Sequence, residues 1–165
     1  PSPDVEGLNL YYRWSPAQGS RPVLVLIHGL GSSHAYYEPL VPLLTKEDTA
    51  VSLLILQACQ DKLDMENSIM ALLIGHVSIG SGLSSHDGRD RSPTDIASVF
   101  ETLLLLLAPD QEKVLVGHSM GSMIACELAR NVRAAGVVLI GPVHPTTALA
   151  NVFNARIKVV EECEL

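Results

Sequence analysis

Four stretches of the chain are largely apolar and end at glycine or at a polar loop: residues 23–29, 50–56, 113–117 and 136–141. Runs of that length, rich in valine, isoleucine and leucine, predict strands buried on both faces, as in a parallel sheet. Between them the period changes. Residues 93–108 repeat apolar positions every three to four residues, and so do 120–131 and 146–160, which predicts helices. Ser92-Pro93-Thr94-Asp95 is a helix start: a serine cap, proline in the first turn and an acid three residues after the cap. Pro109 stops that helix. The five leucines Leu103–Leu107 read as a helix buried on most sides. Residues 9–14 alternate loosely and predict an early strand, in a hairpin after Gly7. "LGSSHAYYEPLVPLL" reads as a loop entering a short helix. Residues 57–79 carry helical periodicity in places and have no evident purpose. Strand, helix, strand, helix, with glycines at the strand ends, is the alternation of a doubly wound, mostly parallel α/β sheet with flanking helices.

The chemistry concentrates where the third of those runs becomes a helix. "VLVGHSMGSMIAC" sets Gly117-His118-Ser119-Met120-Gly121 between a strand and a helix. A serine at so tight a turn needs small neighbours, and Gly117 and Gly121 supply them. The turn pushes the Ser119 hydroxyl out at the carboxyl edge of the sheet. The helix that starts at Met120 aims its free N–H groups and positive dipole end at the same place. Such a site stabilises a developing oxyanion. A second glycine-rich exit, "LIHGLGSS", follows the first central run, and the backbone N–H of Leu30 would join that of Met120.

Composition narrows the partners. The 165 residues are 47% hydrophobic and 18% charged, enough for a core and too apolar for disorder. The net charge of −7 offers no basic stripe, so nucleic acid is not an expected partner. Cys59, Cys126 and Cys163 match neither a metal knuckle nor a CxxC pair, so no metal site is expected. The longest purely apolar run is far too short to span a bilayer, and the first residues carry no signal-peptide pattern. A soluble, cytoplasmic protein that needs no cofactor is the expectation. "GLGSSH" and "GSGLSS" lack the lysine of a P-loop and the spacing of a dinucleotide site.

Taken together and in this order, "LIHGLGSS" and "GHSMG" resemble the α/β-hydrolase family. The likeness is to its serine-nucleophile group, which includes esterases, C–C bond hydrolases and 3-oxoadipate enol-lactonases. "SSHAYYEPLVPLL", "GSGLSS" and "VLIGPVHP" agree with the family's pattern, so the resemblance covers roughly residues 5–160. It implies Ser119 as nucleophile, an oxyanion hole from the N–H groups of Leu30 and Met120, and a small-molecule ester, lactone or similar carbonyl substrate. It also implies a triad completed by an acid and then a histidine, in that chain order. Neither is found in these 165 residues, which the resemblance reads as residues 1–145 of a hydrolase core and, over 146–165, the start of a truncated cap helix.

None of the six histidines fits the missing base. His118 should point away from Ser119 into supporting structure, His28 and His34 belong to the oxyanion loop, and His144 follows a strand at the active edge of the sheet, where a turn is the first reading and a functional role the alternative. His86 adjoins Asp87 on a loop, where adjacent side chains diverge, and His76 falls in the unexplained middle segment. Without a base a serine hydroxyl is a weak nucleophile, so the chain alone is expected to have little or no turnover. The non-catalytic alternatives are a hydrolase-like binding or interaction module and a gene-model fragment. The spacing from His28 to Ser119 exceeds the family's, and the surplus falls in 51–78, as a helical insertion or a retained intron. The strand at 136–140 would be left as an open edge, a place for self-association.

Overall fold

A computed structural model of the chain describes residues 4–5, 8–9, 12–15, 22–32, 36–44, 52–55, 72–75 and 88–163. Strands β1 (Asp4–Val5) and β2 (Leu8–Asn9) form a small antiparallel pair. β3 (Tyr12–Ser15) begins the main sheet, and β4 (Val23–Ile27) is its central strand. A 3₁₀ turn (Glu38–Leu40) leads into the short helix α1 (Val41–Leu44). Then come β5 (Ser52–Ile55), β6 (Leu72–Gly75), α2 (Pro93–Leu107), β7 (Lys113–His118), α3 (Met120–Leu128), β8 (Ala134–Ile140) and α4 (Thr147–Glu162).

The main sheet runs β3-β6-β4-β7-β8. β6, β4, β7 and β8 run parallel to one another, and β3 runs antiparallel to β6 with Tyr12 opposite Gly75. Side chains alternate along β4, and both sides are covered. Val23, Val25 and Ile27 pack with Ile96, Phe100 and Leu103 of α2 and Ile124 and Leu128 of α3. Leu24 and Leu26 pack on the other side with Tyr37 and Val41. All five β4 residues are buried. Helices on both faces of a mostly parallel sheet make this the doubly wound α/β class expected from the alternation.

The edge of β4 away from β7 is shared. β5 pairs with β4 in parallel, Leu24 opposite Leu53, and β6 pairs with the same residues, Leu24 opposite Leu72. β5 and β6 thus ladder with the same stretch of β4, and β5 stands off the path that crosses the sheet. β6 also carries β3, and the ordered path across the sheet passes through it alone.

Three expectations need correction. The leucine run is not buried on most sides: Leu103 and Leu104 are buried, whereas Leu105 and Leu106 are each 59% exposed. One face of α2 meets the sheet, and five successive residues go around the whole helix. The segment 57–79, read as partly helical, contains strand β6, and its other residues lie outside those described. β8, read as buried from its composition, has Val137, Val138, Leu139 and Ile140 all exposed, because it is the last strand of the ordered path.

The start of α2 follows the expectation in detail. Ser92 Oγ accepts from the Asp95 N–H (3.2 Å), and the Asp95 carboxylate accepts from the Ser92 N–H (2.7 Å), a reciprocal capping box. At the other end Lys113 is buried, and its ammonium donates to the Ala108 and Gln111 carbonyls, both at 2.5 Å. Burial pulls its pKa below the ordinary lysine value.

Two outcomes follow from this architecture. Because β6 alone links β3 to β4, a chain lacking residues 51–69 should still fold cooperatively, checked by far-UV circular dichroism and urea unfolding; loss of the transition would make β5 essential. The second concerns pH. Hydrogen bonds from Ser92, side chain first and then backbone, hold the Asp95 carboxyl below its ordinary pKa of 3.8. A depressed carboxylate stabilises the fold above its unfolded pKa, and that contribution disappears as pH falls through the folded value. Thermal unfolding of Asp95→Asn should therefore lose part of the wild type's decline in stability on acidification below that ordinary value.

Candidate active site

β7 ends at His118 and α3 begins at Met120, so the whole turn is one residue, Ser119. Its φ of 53° and ψ of −121° lie in a region L-residues rarely occupy. Ser119 is the one non-glycine residue with positive φ among the described residues. Strain of this kind costs about 1–3 kcal/mol and persists only where the surroundings hold it. Here they do. The Ser119 N–H donates to the Ile140 carbonyl of β8 (3.0 Å), the Ser122 N–H donates to the Ser119 carbonyl (2.9 Å), and Ser122 Oγ donates to that same carbonyl.

Three glycines admit the turn. A Cβ at Gly121 would stand 2.6 Å from the His28 carbonyl oxygen, and one at Gly117 would stand 2.6 Å from Ser122 Cα. One at Gly29 would meet Ser119 Cβ at 2.9 Å. The end of β4 and the start of α3 therefore touch backbone to backbone, which brings the Gly29–Leu30 exit beside Ser119. Leu30 is exposed and precedes Gly31, whose φ is +68°. The first N–H groups of a helix have no intrahelical acceptor, so α3 offers that of Met120 at the turn. Sequence reasoning named Ser119, Met120, Gly117, Gly121 and Leu30, and all five lie in described residues around this turn. It did not single out Gly29, although "HGLG" carried the signal.

The histidines separate clearly. His28 is fully buried, its Nδ1 2.7 Å from the Gly29 carbonyl oxygen, a structural position. His118 is partly buried and stacks on Tyr36, with ring centroids 4.4 Å apart and planes at 19°. His144 is exposed in the segment after β8. His34, His76, His86 and Asp87 lie outside the described residues. Among the described residues none hydrogen-bonds the Ser119 hydroxyl, and no group of three or more His, Cys, Asp or Glu is placed to hold a metal. No helix among them is long and apolar enough to cross a membrane. A separate groove of about 410 Å³ runs between the start of α2, α3 and the chain leaving β8, lined by Thr94, Met123, Cys126, Leu139 and Val143 among others, and does not border Ser119.

A single serine held at positive φ between a buried strand and a helix, facing a glycine-rich strand exit, is the architecture of the α/β hydrolases. The sequence model of the alpha/beta hydrolase family matches residues 24–161, and the chain belongs to that family. Among solved structures, an esterase from Thermogutta terrifontis superposes with a TM-score of 0.68 at 19% identity, covering 94% of this chain and 48% of the esterase. An enantioselective mutant of the Aspergillus niger epoxide hydrolase gives 0.64 at 20% identity, over 87% of this chain and 35% of that one. An α/β hydrolase from Novosphingobium aromaticivorans gives 0.59 at 23%, over 84% and 41%. The chain thus spans between about a third and a half of these relatives. Among the curated proteins none matches.

Substitutions at glycine separate close approach from mere flexibility. Gly121→Ala drives a Cβ into backbone that cannot yield, and should cost about 1–3 kcal/mol or more in urea unfolding. Gly136→Ala meets nothing within 4 Å and should be nearly neutral.

Proposed function

We propose that the chain carries the nucleophile and oxyanion site of a serine hydrolase that acts on an ester, lactone or similar carbonyl substrate through an acyl-enzyme. The observation that carries this reading is the conformation of Ser119, a strained residue at the mouth of a helix, where strain has no structural use of its own. In the proposed cycle a base removes the Ser119 Oγ proton as the oxygen attacks the carbonyl carbon. The carbonyl π electrons move onto oxygen, and that oxyanion is held by the N–H groups of Met120 and Leu30. The oxyanion then re-forms the carbonyl as the C–O bond to the leaving group breaks and the leaving group takes the proton; water next gives a proton to the base and attacks the acyl carbon, and the bond to Ser119 Oγ breaks as that oxygen takes the proton back. No metal or organic cofactor enters this chemistry.

The base and acid are assigned to groups outside this chain, since none of its described residues bonds the Ser119 hydroxyl. The 165 residues by themselves are therefore expected to turn substrate over slowly or not at all. The epoxide hydrolase and esterase likenesses, at about a fifth identity, support the fold and leave the substrate open. Self-association through the open side of β8 is part of the same proposal, because its residues 137–140 are apolar and exposed on both faces.

A fluorophosphonate probe with mass-spectrometric mapping tests the reading. Modification at Ser119, slow in the absence of a bonded base and abolished in Ser119→Ala, is the expected result. A folded sample left unmodified would overturn the nucleophile assignment and favour a binding module that keeps the oxyanion pocket as a carbonyl or anion site.

A further inference from the structure

Tyr36 is the aromatic residue nearest the turn in contact terms, and the fold gives it an unusual place. Its ring stacks on His118, the residue that leads directly into Ser119. It meets Tyr37 edge-on, centroids 5.0 Å apart and planes at 87°. Tyr37 is anchored: fully buried, with its hydroxyl donating to the Ile27 carbonyl at 3.1 Å. On its other flank His118 faces Gly29, where even a Cβ would come within 3.3 Å of Nδ1. The imidazole is thus closed in by Gly29 and the Tyr36 ring. Its Nδ1 is buried and has no hydrogen-bond partner among the described residues. A polar ring atom without a partner does not orient the ring, so packing must. The face that does so is Tyr36.

We propose that Tyr36 is a positioning residue for Ser119: by holding the His118 ring against Gly29 it fixes the backbone entering the turn and keeps Ser119 in its strained conformation. This rests on the reading of Ser119 as nucleophile. The aromatic ring is what matters, not the hydroxyl, which makes no hydrogen bond among the described residues. Tyr36 is 46% exposed, so its removal opens no core cavity. The effect is on placement of the serine rather than on substrate affinity.

The test compares Tyr36→Ala, Tyr36→Leu and Tyr36→Phe by two measurements. The first is the saturation kinetics of fluorophosphonate labelling. The expected result is a fall of about two- to tenfold in the maximal labelling rate for Ala and Leu, the range an aromatic contact supports. The probe's half-saturation should stay unchanged, and Phe should restore the rate. A changed half-saturation with an unchanged maximal rate would overturn the proposal and make Tyr36 a substrate contact. The second is amide hydrogen exchange at Ser119, whose N–H bonds to Ile140. Exchange there should rise in Ala and Leu relative to Leu115 of the same strand, and return in Phe. If the wild type takes no label, the nucleophile reading fails while the exchange result still decides the role of Tyr36. Equal exchange in all four proteins would overturn it.

Discussion

The carboxyl edge of this sheet depends on backbone packed against backbone. The first turn of α3 lies on the last residues of β4 so closely that Gly121 has no room for a Cβ beside the His28 carbonyl. Gly117 faces the same helix turn from β7, and Gly29 faces Ser119 from the exit of β4. Close approach at these three points lets a helix begin one residue after a strand ends. It also places an exposed strand exit next to a helix N-terminus. A larger residue at Gly117 or Gly121 would push the helix off the strands, and one at Gly29 would press on Ser119 directly.

The strain at Ser119 is offset locally. Removal of about 1–3 kcal/mol of stability by one residue is tolerable only if neighbouring bonds return a similar amount. Three do: Ser119 donates to β8 through its own N–H, and its carbonyl receives both the N–H and the hydroxyl of Ser122. A typical hydrogen bond contributes about 0.5–1.5 kcal/mol net. β8 is therefore more than the last strand. Its Ile140 carbonyl holds the turn, while Val137–Ile140 of the same strand remain exposed on an edge that no described strand covers. A strand with this composition and no charged residue between Ala134 and Ile140 has no device against edge pairing.

Much of this was legible from residue order. Ser92 to Asp95 announced the start of α2, and "VLVGHSMG" announced both the strand and the turn, because local chemistry decides caps and tight turns. Burial was less legible, since it is set by partners distant in sequence. "GVVLIG" reads as buried on composition, yet it is exposed because no described strand follows it in the ordered sheet. "LLLLL" reads as surrounded, yet only the side of α2 toward the sheet and α3 is covered, and Leu105 and Leu106 face out. The Tyr36–His118 stack was invisible for the same reason: no spacing rule joins positions 36 and 118.

The two short strands at 52–55 and 72–75 show the limit of pattern reading most sharply. Both are apolar runs of the right length, and each meets β4 in parallel with Leu24 opposite a leucine. Pairing with β4 alone cannot choose between them. What differs is the second edge. β6 has β3 along it, Trp14 opposite Leu73, whereas β5 has no ladder beyond β4 among the described residues. A strand paired on both edges satisfies its backbone groups on both sides, and one paired on a single edge leaves half of them to water or to other partners. Cooperativity of the sheet, rather than hydrophobic content, thus favours 72–75 as the member of the fold.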